Sequence, residues 1–239
     1  MSVNSTLAIY LDAPLQSWGV ASQFQFRDTE AHPSKSGILG MVAAAMGIDK
    51  DASDEEARVL ELSTLTLSTF KLTGTENKLG RPARITRLLD FHTIGGGYDK
   101  KNPLESSHIP QKASGGAYPH AVITRRTYLN DARFIAALSG ELSLLARIQA
   151  ALTDPVWGIW LGRKCCLPSA PLLPTIADTE LAAVTQLFER LYPDSDTLPE
   201  FEGYLEKNDG DVTYWNDEPV SYGQRRFRSR AVQRDGNLT

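Results

Sequence analysis

LAIYLD (Leu7 to Asp12) is a run in which Leu7, Ile9 and Leu11 alternate with Ala8, Tyr10 and Asp12. A two-residue period places one set of side chains on a buried face and the other toward solvent, so the run reads as a half-buried first strand. After the turn-like segment Ala13 to Pro33, PSKSGILGMVAAAMGI (Pro33 to Ile48) sets Ile38, Val42, Ala45 and Met46 on one face at helical spacing. A serine N-cap opens this helix and Gly47 stops it. Strand followed by helix is the opening half of a ferredoxin-like unit, and the second half follows downstream.

The acid-rich segment Asp51 to Leu62 predicts a second short helix with a solvated face. Leu65 and Leu67 alternate with Thr64, Thr66 and Ser68, and Ile85 to Phe91 is again β-rich, so two strands bracket a turn around Gly74 to Gly80. Val122-Ile123-Thr124 and Phe134-Ile135-Ala136 are strand-like; Leu144, Leu145, Ile148 and Leu152 then form a helical stripe that ends at Asp154-Pro155. Val156 to Leu161 predicts the last strand. The order strand, helix, strand, strand, long insertion, strand, helix, strand predicts an α+β, ferredoxin-like core with an antiparallel sheet. Pro168, Pro171, Pro174, a short helix at Thr179 to Leu191 and an irregular tail follow, giving a main domain over 1–174 and a small extension over 175–239.

The 239 residues carry a formal net charge of −4 with a pI near 5.6, which excludes binding nucleic acid by bulk positive charge. Any such contact must be local. Arg81 to Tyr128 inverts the balance, with eight Lys or Arg against Asp90, Asp99 and Glu105, and it holds three of the four histidines and five glycines. A basic, glycine-rich loop framed by strands either clamps a polyanion, whose phosphates Lys and Arg neutralise, or is a solvated loop without a ligand. Asp178 to Glu218 holds twelve acids against Arg190 and Lys207, and the arginines 225, 226, 228, 230 and 234 follow at once. The acidic block reads as a solvated face.

Cys165 and Cys166 are adjacent and lack CxxC spacing, so they form neither a disulfide framework nor a zinc site, and a reducing cytoplasm fits them. Met1 to Thr6 lacks the basic region of a signal peptide, and the apolar run Gly37 to Ile48 is too short to span a bilayer. These features predict a cytoplasmic protein with no membrane association. No phosphate-loop signature occurs, Gly95-Gly96-Gly97 lacks the spacing of a dinucleotide turn, and the histidines at 32, 92, 108 and 120 have no metal-ligand spacing. Neither a cofactor nor a metal is expected.

Ser34, Lys35 and Ser36 stand where a helix begins, and spare N–H groups with hydroxyls and a cation suit an anion, although capping by Ser36 alone accounts for the pattern equally. Trp18, beside Gln16, either stacks on a base or fills the core. Arg125 and Arg126 adjoin Tyr128, while Arg163 and Lys164 follow Trp160, so each pair sets cations beside an aromatic ring as single-strand binders do. Strand alternation sends one member of each pair to a given face.

Five blocks in order, LDAPLQSWG (Leu11 to Gly19), PSKSGILGMVAAAMGI, LLDFHT (Leu88 to Thr93), TRRTYLNDARFIAAL (Thr124 to Leu138) and WLGRKCCLP (Trp160 to Pro168), resemble the CasD family, subunits of the type I-E CRISPR surveillance complex Cascade. The resemblance runs from about residue 7 to 174. It implies a repeat-associated (RAMP), RNA-recognition-like fold whose Gly-rich basic insertion over about 94–121 forms a thumb. It implies a noncatalytic subunit that holds the 5′ handle of the CRISPR RNA (crRNA), touches the repeated backbone subunit and the large PAM-recognising subunit, and reaches target DNA through the complex.

Carried onto this sequence, the resemblance gives Ser34, Lys35 and Ser36 the handle phosphates, and Gln16 and Trp18 the adjoining pocket. Arg125, Arg126, Arg163 and Lys164 meet RNA backbone, and Lys100, Lys101 and Lys112 ride on the thumb. On this view the chain is not a homo-oligomer by itself. One alternative is a metal-independent ribonuclease with His92 as the acid or base. A second is a small-molecule α+β enzyme whose basic loop is an active-site lid.

Overall fold

The computed structural model describes residues 4–20, 25–72, 85–95, 99, 101–109, 111–112, 121–194, 201–207 and 209–235. Its elements are β1 (Asn4–Gln16), β2 (Phe26–Arg27), α1 (Lys35–Ala45), α2 (Glu55–Ser63), β3 (Thr66–Leu72), β4 (Thr86–Ile94), α3 (Pro103–Ser106), β5 (Val122–Glu141), α4 (Leu142–Thr153), β6 (Thr175–Ala177), α5 (Glu180–Leu191), β7 (Phe201–Glu206), β8 (Val212–Ser221) and β9 (Arg226–Asp235). One sheet runs β6-β1-β5-β3-β7-β9-β8, with β2 and β4 also paired to β5. Its first four strands, all paired antiparallel, have the order of a ferredoxin-like βαββαβ unit, with α1 and α2 in the first crossover and α4 in the second.

The final core strand lies later than expected. Val156 to Leu161 is irregular, held to α1 by the Val156 and Trp157 amides donating to Ala45 O and Ala44 O, and the strand beside β1 is instead Thr175–Ala177. The run is therefore tethered to a helix end rather than laid in a ladder, and Val156 and Trp157 stay exposed while Leu161 is buried. The region after 174 is also more regular than expected. It supplies β6 to the core, α5 to the open face of the sheet, and three strands that continue the sheet beyond β3.

This C-terminal cover explains why β1 is buried on both faces. Leu7, Ile9 and Leu11 pack with α1 and α4, while Ala8 and Tyr10, expected to face solvent, pack with Val184, Leu187 and Phe188 of α5. Burial raises the Tyr10 phenol well above its ordinary value, helped by Tyr192 and Asp12, so it stays protonated and donates to Asp12 Oδ2 at 3.2 Å.

β5 divides into two parts. Residues 129–141 lie in the core beside β1, with β3 along 134–139. Residues 122–130 pair with β4, whose residues are nearly all exposed, to make an arm that leaves the sheet. Asp131 at φ 51°, a left-handed conformation, bends the strand between them.

His32 is buried against the rings of Phe134 and Tyr204, at 5.4 and 4.2 Å, and its Nδ1 has no partner among the described residues. Burial, with Lys71 and Arg234 nearby, lowers its pKa to about 3. The folded state holds the ring neutral while the unfolded state takes a proton below about 6.5, so stability is complete above that pH and falls as pH drops toward 3. Between pH 7 and 5 the protein is expected to lose about 2 kcal/mol through this group. Urea unfolding of wild type against His32→Phe isolates the effect; equal pH slopes in the two proteins would refute it.

Candidate nucleic-acid interface

α1 begins where Ser34, not Ser36, caps it: the Ser34 Oγ accepts from the Gly37 amide at 3.2 Å. Ser34 is 1% exposed and Ser36 is half-buried on the outer face. Lys35 corrects the phosphate expectation. Its side chain is 1% exposed, and its ammonium reaches Glu206 Oε1 at 2.9 Å and Glu218 Oε2 at 3.1 Å. The α1 amide of Lys35 donates to Asp217 Oδ2 at 2.7 Å, and Asp217 also accepts from Arg230 Nε at 2.7 Å and Nη2 at 3.0 Å. A buried ammonium matched by two carboxylates anchors the helix to β7 and β8, and has no exposed surface left for a phosphate.

Gln16 and Trp18 are core residues, both fully buried. Trp18 Nε1 donates to Gln16 Oε1 at 3.0 Å, and Gln16 Nε2 donates to Leu11 O and Ala132 O at 3.2 and 2.6 Å. Every polar atom of the pair is thereby satisfied, as burial requires. Gly37 lets α1 approach, since a Cβ there would lie 2.7 Å from the indole. Trp18 thus supports the wall of the site from behind instead of stacking on a ligand.

The arm presents two faces. On one, Arg125 is exposed between Phe26 and Phe91, with its guanidinium 5.3 and 5.6 Å from the ring centroids, and Leu89 and Ile123 extend the surface. On the other, Thr124 Oγ1 and Arg126 Nε are buried without a hydrogen-bond partner among the described residues. His92 stands opposite Thr124 on this second face, with its Nε2 against Asp90. Lys101 and Lys112 are exposed at the head of the arm; Lys100 and His120, with Arg81 and Arg84, lie outside the described residues.

Arg163 closes the foot of the arm. Its guanidinium lies 4.7 Å from the Tyr128 ring and donates to Thr127 O at 2.9 Å, Arg27 O at 2.7 Å and Asp28 O at 3.3 Å. Three carbonyls hold this cation as a structural tie. Its neighbour Lys164 is exposed, 5.6 Å from the Trp160 ring. Strand alternation separates Arg125, outward, from Arg126, inward; Arg163 and Lys164 lie in a turn, where Arg163 is drawn in by three carbonyls and Lys164 stays exposed. Cys166, buried, is pushed up to about 12 by desolvation and by Cys165, so its thiol is inert.

The arginine run pairs with α2 and with the acidic block. Arg226 meets Glu56, Arg228 meets Glu218 at 2.7 Å, Arg230 meets Asp217 and Arg234 meets Glu202 at 2.5 Å. The expected solvated acidic face is in part an internal counter-charge. Two cavities stand out. One of about 810 Å³ lies between α4 and Pro168 to Pro174, lined by none of the expected site residues. The other, of about 250 Å³, is lined by Ser36, Gly40, Met41, Gly158, Trp160 and Tyr222 beside Lys164. Tyr222, which the β8–β9 turn brings to α1, carries no local pattern that marks it as part of a site.

A ferredoxin-like antiparallel sheet carrying a cationic and aromatic β-arm defines a RAMP-type, RNA-recognition-like protein of CRISPR systems. The family model described as CRISPR-associated protein (Cas_Cas5) matches residues 6–233, and the chain belongs to that family. It is 27% identical over 173 residues to the Cascade subunit CasD of Escherichia coli K12, covering 71% of this chain and 70% of that protein. A chain of a solved CRISPR RNA-guided surveillance complex matches with TM-score 0.70 at 31% identity, covering 97% of this chain and 90% of the other. The crystal structure of a Cas protein matches with TM-score 0.61 at 28% identity, covering 96% and 93%. Among the described residues, no helix is long and apolar enough to cross a membrane.

Proposed function

We propose that this protein is the noncatalytic subunit that holds the 5′ handle of crRNA in a type I-E surveillance complex, in the cytoplasm. The observation that carries the reading is Arg125, exposed between two phenylalanines on an arm of a Cas5-family sheet. Guanidinium and rings together suit single-stranded RNA, where charge takes the phosphate and the rings take a base. Lys164 over Trp160 repeats the combination, and Ser36 offers a hydroxyl at the start of α1. Lys100, Lys101 and Lys112 are assigned to the thumb, which would fold over the guide RNA on assembly. The neighbours in this reading are the repeated backbone subunit and the large PAM-recognising subunit, through which the complex meets invading DNA.

Arg125→Glu and Lys164→Glu, in the chain co-expressed with its partner subunits, are each expected to lower crRNA retention about tenfold. Each is also expected to shallow the salt dependence of binding by about one charge. Folding should change little, because both side chains are exposed. RNA recovered from wild type should be uncut by the isolated chain in EDTA. Unchanged retention in both variants would refute the RNA assignment, and His92-dependent cleavage would refute the noncatalytic one.

A further inference from the structure

α1 contains a glycine that its own packing does not require. Glycine inside a helix costs about 1 kcal/mol relative to alanine, so its presence calls for a close approach by something. Gly37 has such a reason in the Trp18 ring. Gly40 has none among the described residues. A Cβ there would come no closer than 3.4 Å to their atoms, the nearest being the hydroxyl and ring edge of Tyr222, which is ordinary contact. Gly40 instead floors the cavity of about 250 Å³ between α1 and the Gly158 to Gly162 loop.

One wall of that recess, Tyr222, is held in place. Tyr222 donates from its hydroxyl to Ser36 O at 2.7 Å, and burial, with Glu55 and Asp217 nearby, raises its pKa so that the donor persists. Glu55 fixes the turn behind it, accepting from the Tyr222 amide at 2.6 Å and from Ser221 Oγ at 2.7 Å. Trp160 is a second aromatic residue of the lining, with the Lys164 ammonium 5.6 Å from its ring. Ser36 supplies a hydroxyl at the mouth, where α1 begins.

We infer that this recess takes a single unstacked nucleobase, with Trp160 and Tyr222 as the ring surfaces, Gly40 as the floor and Lys164 beside the adjoining phosphate. The assignment rests on the RNA-binding function proposed above and adds to it a base-sized subsite distinct from the Phe26–Arg125–Phe91 surface of the arm. A pocket of this kind makes binding depend on one base, whereas backbone contacts are indifferent to its loss.

The test uses the chain in its complex, with the crRNA that co-purifies with it resynthesised as a series lacking one base at a time. One abasic position is expected to weaken binding about tenfold, the worth of one stacked base. Gly40→Val fills the recess and is expected to weaken the natural RNA by a similar factor while leaving that abasic RNA unaffected. Gly40→Ala guards against a folding artefact: it should raise the unfolding midpoint, by helix propensity, and still weaken the natural RNA. RNA that binds tightly with no sensitive position, or with Gly40 variants equal to wild type, overturns the subsite and leaves the handle-binding function standing. A complex that assembles without any crRNA overturns both.

Discussion

Asp217→Ala is expected to lower the stability of the fold by about 3–5 kcal/mol, because it breaks a buried ion pair from one side. Asp217 is 1% exposed and serves two elements together: it takes two hydrogen bonds from the Arg230 guanidinium and one from the first amide of α1. Removing it strands a guanidinium that is itself buried, leaves a helix N-terminus without its carboxylate, and puts Arg230 beside the Lys35 ammonium with one negative charge fewer between them. The three cations Lys35, Arg228 and Arg230 face the three anions Glu206, Asp217 and Glu218, so the cluster is balanced only when complete. Asp217→Leu combined with Arg230→Met should recover most of the loss, since a buried pair replaced as a unit by apolar groups is often neutral. Urea unfolding of the single and double variants reads both effects. A single variant within 1 kcal/mol of wild type would show that the cluster does not anchor α1.

The same cluster shows where the sequence was informative and where it was not. Local sequence pattern placed α1, α4 and α5 close to their observed spans, but caught only the middle of β1, which runs from Asn4 to Gln16 and takes in the start of the segment read as a turn. It misplaced the last core strand, since Val156 to Leu161 is apolar enough to be a strand yet too far from a ladder partner, while β6 has three residues and no period to detect. The C-terminal strands were illegible for a similar reason. Arg226 to Arg234 and Asp217 to Glu218 look like solvated runs until β8 and β9 are paired, when Glu218 falls opposite Arg228 and Asp217, at an irregularity in the register, meets Arg230. Lys35 followed the same pattern: a lysine at a helix start suggests an anion, and only the contact with residues 206 and 218 shows that its anions are internal. Alternation alone separated Arg125 from Arg126, and this part of the site needed no tertiary information.

Gly162→Ala is expected to be the most damaging single methyl among the described glycines. Gly162 has φ +99°, in a region that side chains rarely adopt, and an added Cβ would lie 1.8 Å from the carbonyl oxygen of Ser17. Neither obstacle yields to a rotamer change, because the opposing atom is backbone. That backbone is itself tied down: the Ser17 amide donates to Leu161 O at 3.2 Å, and Leu161 donates to Cys166 O at 2.7 Å. The loop must therefore move away from β1 or the chain must unfold, at a cost of about 3–5 kcal/mol and roughly 10 °C in midpoint. Movement would also carry Trp160 away from α1 and Arg163 from the carbonyls that close the arm, so RNA retention should fall further than for any exposed charge reversal. Gly158→Ala is the control for the melt alone, because its nearest neighbour is the edge of the Trp160 ring, a side chain and not backbone. Thermal unfolding of both variants and crRNA retention of Gly162→Ala decide the matter. A Gly162→Ala protein that melts with wild type would mean the loop does not sit against Ser17, and the recess between α1 and Trp160 would lose its support.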